Sequence, residues 1–224
     1  MSRTPAITAA LALFDGAPRR DRLHVRGREK SCPVDAVLRV VPRAGRVLEV
    51  GCGHGLVAAA LALDAPARHV TGVDIDARKI DVARTAAAAL GHPDRLAFDV
   101  TDGALPPGPW DAIVVVDVLY LLDREPERAL LAACVGALSP GGTLVLKETD
   151  TAPAWKHRVA AAQEVVATRV LRFTKGESLA FTPVAELAGD LRSLGCADVR
   201  VERVDRGYLH PHALVVARRP VTGG

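Results

Sequence analysis

The feature that most constrains the fold is the stretch RVLEVGCGHG at residues 46–55. A short apolar run with one acid, Glu49, leads directly into three alternating glycines. Such a strand-to-helix turn lets the backbone approach a ligand closely, at a helix N-terminus whose free N–H groups face it. Dinucleotide-binding turns prefer G-x-G-x-x-G, but position 56 is leucine, and the chain has no G-x-x-x-x-G-K-[ST] phosphate loop. The spacing is therefore wrong for NAD.

Strands and helices are predicted to alternate after this turn. Apolar runs such as IVVV alternate with helical patterns such as ARKIDVARTAAAAL, which indicates a parallel sheet with helices on both faces. The helix REPERALLAACVGAL is predicted to be broken by SPGG, with strand five at TLVLKE. Two tandem strands, DVRVERV and ALVVARR, end the pattern. Their linker, DRGYLHPH, is too short for a crossover helix, so the last strand should run antiparallel to its neighbour.

Length and composition fit a single α/β domain over residues 1–224. With 49% hydrophobic and 25% charged residues, the chain can bury a substantial core. We predict a doubly wound, seven-stranded, mostly parallel sheet with an antiparallel last strand. Residues 1–32 are predicted to form an N-terminal cap segment, in which AITAALALF is a packing helix rather than a signal peptide. Residues 151–182 are predicted to form a helical insertion after strand five that acts as a lid.

The composition also limits which binding partners and which cellular compartment are expected. A formal net charge of +3 and only 4% aromatic residues argue against a nucleic-acid ligand. The four cysteines are scattered without a CxxC pair, which predicts reduced thiols, no metal site and a cytoplasmic location. The apolar run near the start is too short to span a bilayer, so no membrane association is expected. The oligomeric state stays open between monomer and homodimer.

Acidic residues follow the predicted strands, at the sheet edge where open α/β folds bind ligands. Glu49 stands two residues before Gly51, where a cation is favoured and a pyrophosphate is not. Asp74 ends the second strand, where an acid can accept both hydroxyls of a ribose. Asp102 follows the third strand, in position to meet a base edge. These acids predict a ligand with a ribose, an adenine-like ring and a positive charge, without phosphates.

Four segments resemble the successive motifs of the class I S-adenosylmethionine-dependent methyltransferases: VLEVGCGHG, VTGVDID, WDAIVVVDVLYLL and LSPGGTLVLKE. The resemblance covers roughly residues 31–150, and the terminal hairpin is similar to the reversed last strand of that fold. It implies S-adenosyl-L-methionine as the cofactor and S-adenosyl-L-homocysteine as the product. The cofactor-binding residues that it implies are Glu49, Gly51, Cys52, Gly53, Asp74, Ile75, Asp102 and Asp117.

Each implied residue has an expected contact. The glycine turn matches the part of the family's site beneath the methionine moiety, where Cys52 is a small filler between glycines. Asp74 matches the ribose acid, and Ile75 matches the residue against the adenine ring. Asp102 matches the residue that meets the adenine amino group, with Asp99 as the alternative.

Methyl transfer requires alignment of the nucleophile, exclusion of water and, for a protonated acceptor, a nearby base. Asp117, just past strand four, matches a position whose backbone faces the methionine amine. The candidate catalytic residues are Tyr120, after strand four, and His210 and His212 of the segment YLHPH. The two histidines face the same side of an extended chain, and histidine accepts a proton near neutral pH. A solvated turn or a packing role is the alternative for each.

The candidate substrate-binding residues are Arg26, Arg28, Glu148, Trp155 and Tyr208. Arg26 and Arg28 lie two positions apart, so that their side chains would point the same way in an extended segment. They are predicted to bind a carboxylate of the cofactor or an anionic group of the substrate. The alternative is that both lie on a charged surface that faces solvent. Trp155 belongs to the insertion, which predicts an apolar pocket wall. The preferred function is methyl transfer to a small molecule, on oxygen. The alternatives are an RNA- or protein-directed methyltransferase, a non-catalytic cofactor-binding partner subunit and, third, an oxidoreductase, which binding of NAD or NADP would favour.

Overall fold

The computed structural model of the protein describes residues 3–150 and 181–221. Seven strands form one sheet: β1 Ala44–Val50, β2 Ala67–Asp74, β3 Leu96–Val100, β4 Trp110–Val116, β5 Leu138–Thr149, β6 Ala197–Arg203 and β7 His212–Arg218. The helices of the described ranges are α1 Pro5–Ala12, α2 Arg19–Ser31, α3 Val34–Val40, α4 Leu56–Asp64, α5 Ala77–Leu90, α6 Arg124–Ala137 and α7 Val184–Ser193, with a 3-10 turn at Leu119–Leu121.

The strand order is β3-β2-β1-β4-β5-β7-β6. Strands β1 to β5 pair in parallel, and β7 pairs antiparallel with both β5 and β6. The predicted doubly wound sheet with a reversed last strand is therefore confirmed. The chain order reverses between β1 and β4, which creates the switch point where open α/β sheets bind ligands.

The two faces of the sheet carry separate hydrophobic cores. The first face packs against α1 to α5 and includes Val47, Val145 and Leu214. The second face packs against α6 and α7 and includes Leu48 and Leu146. Because side chains alternate along a strand, each polar residue at a strand end is assigned to one of these faces.

One predicted element boundary was wrong, and one predicted helix is confirmed. Strand β5 begins at Leu138 and so includes the SPGG segment, because the backbone of Leu138 already pairs with Trp110 before a register shift. Helix α1 confirms that AITAALALF forms a packing helix, since Ala6, Ile7 and Ala10 are buried.

The charged segment before α3 forms a helix rather than an extended strand. Helix α2 covers residues 19–31, and positions two apart on a helix point in different directions. Arg26 contacts Asp15 on the outside of the molecule at 3.4 Å, whereas Arg28 reaches Asp117. The prediction that Arg26 and Arg28 act as an alternating pair is therefore wrong.

Trp155 and residues 151–180 of the predicted lid lie outside the described residues. Among the helices of residues 3–150 and 181–221, none has both the length and the apolar character that crossing a membrane requires.

Candidate functional site

The glycine turn between β1 and α4 is tied to the end of β2. The backbone N–H groups of Gly51 and Cys52 both donate to the Val73 carbonyl, at 2.8 and 3.0 Å. Gly51 has a φ of +72°, a conformation that favours glycine, and a Cβ at this position would overlap the Val118 side chain. The turn therefore requires glycine for its backbone and for its close approach to the loop after β4. Cys52 is buried beneath the turn, in agreement with a filling role.

Asp74, at the end of β2, links the glycine turn to the loop that begins α5. Its Oδ2 accepts a hydrogen bond from the Gly53 N–H at 2.8 Å, and its Oδ1 accepts one from the Asp76 N–H at 2.9 Å. Each carboxylate oxygen has a further lone pair that can accept a ligand hydroxyl. The next residue, Ile75, is 73% exposed, which leaves an apolar side chain available beside this carboxylate.

Glu49 is a buried acid beside the turn. Only 2% of the residue is exposed, and its Oε2 has no hydrogen-bond partner within the part of the chain that the structure describes. Burial raises the pKa of Glu49 to about 8, against the opposing effects of the Ala58 N–H and the Arg28 guanidinium. A buried carboxyl group with an uncommitted oxygen is suited to a cationic ligand.

The two candidates for the adenine contact have different surroundings. Asp102 lies on the exposed loop after β3, where its Oδ1 accepts a hydrogen bond from the Ala104 N–H at 3.1 Å. Asp99 forms an ion pair with Arg84 of helix α5 at 3.1 Å. Because Asp99 is committed to that helix, the geometry favours Asp102 as the residue available to a ligand.

Asp117, directly after β4, is held by two cations. Its carboxylate contacts the fully buried Lys147 ammonium at 2.6 and 2.7 Å and the Arg28 guanidinium at 2.7 Å. Arg28 also donates to the Val116 carbonyl at 3.1 Å. Burial alone raises the pKa of Asp117, but Lys147 and Arg28 outweigh it and hold the pKa at about 2. Asp117 has a φ of +53°, unusual for a residue other than glycine, so these contacts stabilise an uncommon backbone conformation.

Sequence reasoning placed Lys147 at the end of strand five, on the ligand-binding edge of the sheet, but gave it no partner or specific role. The available signal was a lysine that ends the apolar run of strand five, where a charge is otherwise unfavourable. Lys147 follows Val145 by two residues, so its side chain lies on the first face of the sheet, as does that of Glu49.

The histidines of YLHPH lie together at the start of β7. The rings of His210 and His212 stack with centroids 5.8 Å apart, and Tyr208 meets His212 edge-on at 5.2 Å. The Tyr208 hydroxyl approaches the Cys32 carbonyl at 3.5 Å. The two rings therefore lie side by side, but the 3.0 Å hydrogen bond from the His212 N–H to the His210 carbonyl shows a turn at Pro211 rather than the expected extended chain.

His212 is buried, and neither ring nitrogen makes a hydrogen bond of normal geometry to any described residue. Burial and the nearby Lys147 charge lower the pKa of His212 to about 3, although the Ser31 backbone and Asp117 oppose the shift. The imidazole is therefore neutral near pH 7 and can donate or accept a hydrogen bond. Such a low pKa makes it a weak base.

Glu148 and Tyr120 organise the loop after β4. The Glu148 Oε1 accepts hydrogen bonds from the N–H groups of Val118 and Leu119, each at 3.1 Å. Burial and the Asp117 charge raise the pKa of Glu148 to about 8. The Tyr120 ring stacks on Phe181 with centroids 5.5 Å apart. Glu148 thus positions the loop that carries Tyr120, and its substrate contact stays a prediction.

The structure brings most of the predicted site residues to one edge of the sheet. Arg26 lies outside this group, and no cluster of three or more potential metal-ligating side chains occurs in the described ranges. The residues assembled at the edge are Arg28, Glu49, Gly51, Cys52, Gly53, Asp74, Ile75, Asp102, Asp117, Tyr120, Glu148, Tyr208, His210 and His212.

Comparison with known proteins identifies similar chains. A ubiquinone biosynthesis O-methyltransferase of Xylella fastidiosa (strain 9a5c) is 34% identical over 167 residues, which cover 72% of this chain and 65% of the relative. An uncharacterized methyltransferase of Mycobacterium bovis is 40% identical over 115 residues, which cover 50% of this chain and 55% of the relative. The chain therefore spans less than two thirds of the length of these relatives. The crystal structure of the S-adenosylmethionine-dependent methyltransferase SibL in its apo form has a TM-score of 0.68 and 26% identity, covering 84% of this chain and 54% of that one.

The family model described as a methyltransferase domain matches residues 48–144. This range contains the glycine turn, Asp74 and Asp117, and most of the switch point between β1 and β4. Fold, site and sequence similarity agree: the chain belongs to the class I methyltransferase family.

Proposed function

We propose that the protein transfers a methyl group from S-adenosyl-L-methionine to a hydroxyl oxygen of a small molecule. The observation that carries this proposal is the pairing of Glu49 and Asp74 around one glycine turn. Glu49 offers a buried carboxyl group without a partner for its Oε2 in the described residues, and Asp74 offers two oriented oxygens. Together they suit a cationic, ribose-bearing ligand without phosphates. The name of the Xylella relative supports oxygen as the acceptor atom.

Different residues of the chain would contact successive parts of the cofactor. Asp74 would accept hydrogen bonds from the ribose hydroxyls, with Ile75 against the adenine ring and Asp102 at its amino group. Glu49, the glycine turn and the backbone of Asp117 would surround the methionine moiety. When bound, S-adenosyl-L-methionine supplies an electrophilic methyl group on a sulfonium.

The methyl-accepting substrate would bind next to Tyr120, Tyr208, His210 and His212. Because His212 is neutral near pH 7, its role is to orient the acceptor through a hydrogen bond while His210 receives the proton. Arg28 is already paired with Asp117, and only its remaining N–H groups would be available to donate to an anionic group of the substrate.

Isotopic labelling tests the function directly. The purified protein is incubated with a small-molecule extract and S-adenosyl-L-methionine that carries a labelled methyl group, and products are identified by mass spectrometry. We expect one small-molecule product that gains the labelled methyl on oxygen. Calorimetric binding of S-adenosyl-L-homocysteine without any labelled product would instead support a non-catalytic cofactor-binding subunit, and labelled RNA or protein would support a macromolecular acceptor.

Cofactor binding is expected to release a proton from Glu49. At pH 7 a carboxyl with a pKa of about 8 is mostly protonated, and a bound cation lowers that pKa. The affinity for S-adenosyl-L-methionine should therefore rise with pH between about 6 and 8 and level off above. Calorimetry at pH 7 in buffers of different ionisation enthalpy measures the released protons. The Glu49→Gln variant should show no such release, and an equal release from both proteins would contradict the assignment.

A further inference from the structure

Helix α2 contacts the predicted cofactor site through a buried acid, Asp21. Only 2% of Asp21 is exposed. Its Oδ1 lies 3.1 Å from the His54 Nε2, inside the glycine turn, and 3.0 Å from the Arg78 Nη1, in the first turn of α5. The ring of His24, also on α2, lies against His54 with centroids 4.7 Å apart. Asp21 thus contacts both the glycine turn and the first turn of α5.

Asp21 and Asp74 bridge the same two segments of the chain. Asp74 joins Gly53 to Asp76 through backbone N–H groups, and Asp21 joins His54 to Arg78 through side chains. Asp74 therefore connects the two segments from the end of strand β2, and Asp21 connects them from helix α2. The position of the Asp74 carboxylate relative to the turn depends on the distance between these segments, which both bridges restrain.

The bridge through Asp21 is built from charge-assisted hydrogen bonds. His54 and Arg78 lower the pKa of Asp21 although its burial opposes this, so Asp21 is an anion at neutral pH. Hydrogen bonds to ionised groups are shorter and stronger than those between neutral groups. Arg78 and His54 lie at successive strand ends, and one carboxylate from outside the sheet connects them.

We propose that Asp21 is a positioning residue for the cofactor, which holds the glycine turn and the Asp74 loop at the spacing that S-adenosyl-L-methionine requires. The inference rests on the proposed function. It assigns no contact between Asp21 and the cofactor; Asp21 acts through His54 and Arg78. Helix α2 also contacts Asp117 through Arg28. The same helix therefore contacts the glycine turn, the first turn of α5 and the loop after β4.

The test compares matched variants by calorimetric titration with S-adenosyl-L-homocysteine. Asp21→Asn keeps the shape of the side chain but removes the charge, and we expect its Kd to rise about tenfold. Arg78→Gln removes one partner of the bridge at a half-exposed position, and we expect a rise of about threefold. Because Arg78 lies partly at the surface, this second variant tests the bridge even if Asp21→Asn does not fold.

Glu29→Gln is the matched control. It makes the same acid-to-amide change on the same helix and breaks an ion pair with Arg3, formed by two contacts of 2.8 Å. We expect its Kd to equal that of the wild type. All titrations are made at a temperature where thermal melting shows each variant to be folded.

The outcomes separate the two proposals. A wild-type protein that does not bind S-adenosyl-L-homocysteine removes the proposed function itself. If the wild type binds, unchanged Kd values for Asp21→Asn and Arg78→Gln overturn the positioning role, even where their melting temperatures fall. An equal loss of affinity in Glu29→Gln also overturns it, since general docking of α2 would then explain the effect.

Discussion

The Asp74→Ala variant is expected to bind S-adenosyl-L-homocysteine at least about 100-fold more weakly than the wild-type protein. The substitution removes two acceptors for the ribose hydroxyls, and hydrogen bonds to charged groups contribute about 1.5–3 kcal/mol each. It also releases the Gly53 N–H, whose 2.8 Å hydrogen bond to Asp74 orients the turn. A loss of about 3 kcal/mol corresponds to more than 100-fold in Kd at 25 °C. Calorimetric titration measures the difference.

Asp81→Ala is the control for this variant. Asp81 is an exposed acid on helix α5, the helix that follows Asp74, and its contact with Arg84 is long, at 4.0 Å. Its removal changes the net charge by the same amount and should leave the affinity within about twofold. An Asp74→Ala protein that binds as tightly as the Asp81→Ala protein would remove Asp74 from the cofactor site.

The positions of Glu49 and Asp74 were predictable because the ends of parallel strands are visible in the sequence. Glu49 and Asp74 come where an apolar run changes to a glycine or a turn residue, and such ends meet at one edge of an open sheet. The antiparallel β7 was predictable for a similar reason, since the eight-residue linker before it rules out a crossover.

The surroundings of Asp117 were not predictable from local pattern. Lys147 is 30 positions away along the chain, and Arg28 comes from the N-terminal helix. Whether two distant charges meet depends on the register between β4 and β5, where Val116 pairs with Lys147. A motif can place Asp117 after a strand, but it contains no information about the residues that neutralise it.

Helix α2 was missed because its buried face is polar. A helix is usually detected by apolar residues at a spacing of three or four. The inward face of α2 carries Asp21 and Arg28 on either side of a single buried valine, Val25. Its pattern therefore indicated a solvated charged segment, and the assignment of Arg26 to the site followed from the wrong local geometry.

Lys147→Met is expected to destabilise the fold by about 3–5 kcal/mol, because it leaves a buried carboxylate without its closest partner. Asp117 then keeps only Arg28, whose side chain is 31% exposed and can be hydrated. Urea denaturation at pH 7 measures the free energy of unfolding. As the control, Arg39→Met breaks the exposed ion pair with Glu202 and should change that free energy by less than about 1 kcal/mol.

The double variant Lys147→Met/Asp117→Asn decides whether charge or packing explains this loss. Asparagine tolerates the positive φ at position 117, so the substitution removes the carboxylate charge without straining the backbone. If the Asp117 charge left without Lys147 is the cause, the double variant should regain about 2 kcal/mol relative to Lys147→Met. If the double variant is no more stable than Lys147→Met, the lysine stabilises the fold through its packed alkyl chain rather than through Asp117. In that case the ion pair with Arg28 is sufficient to keep Asp117 buried beside the proposed cofactor site.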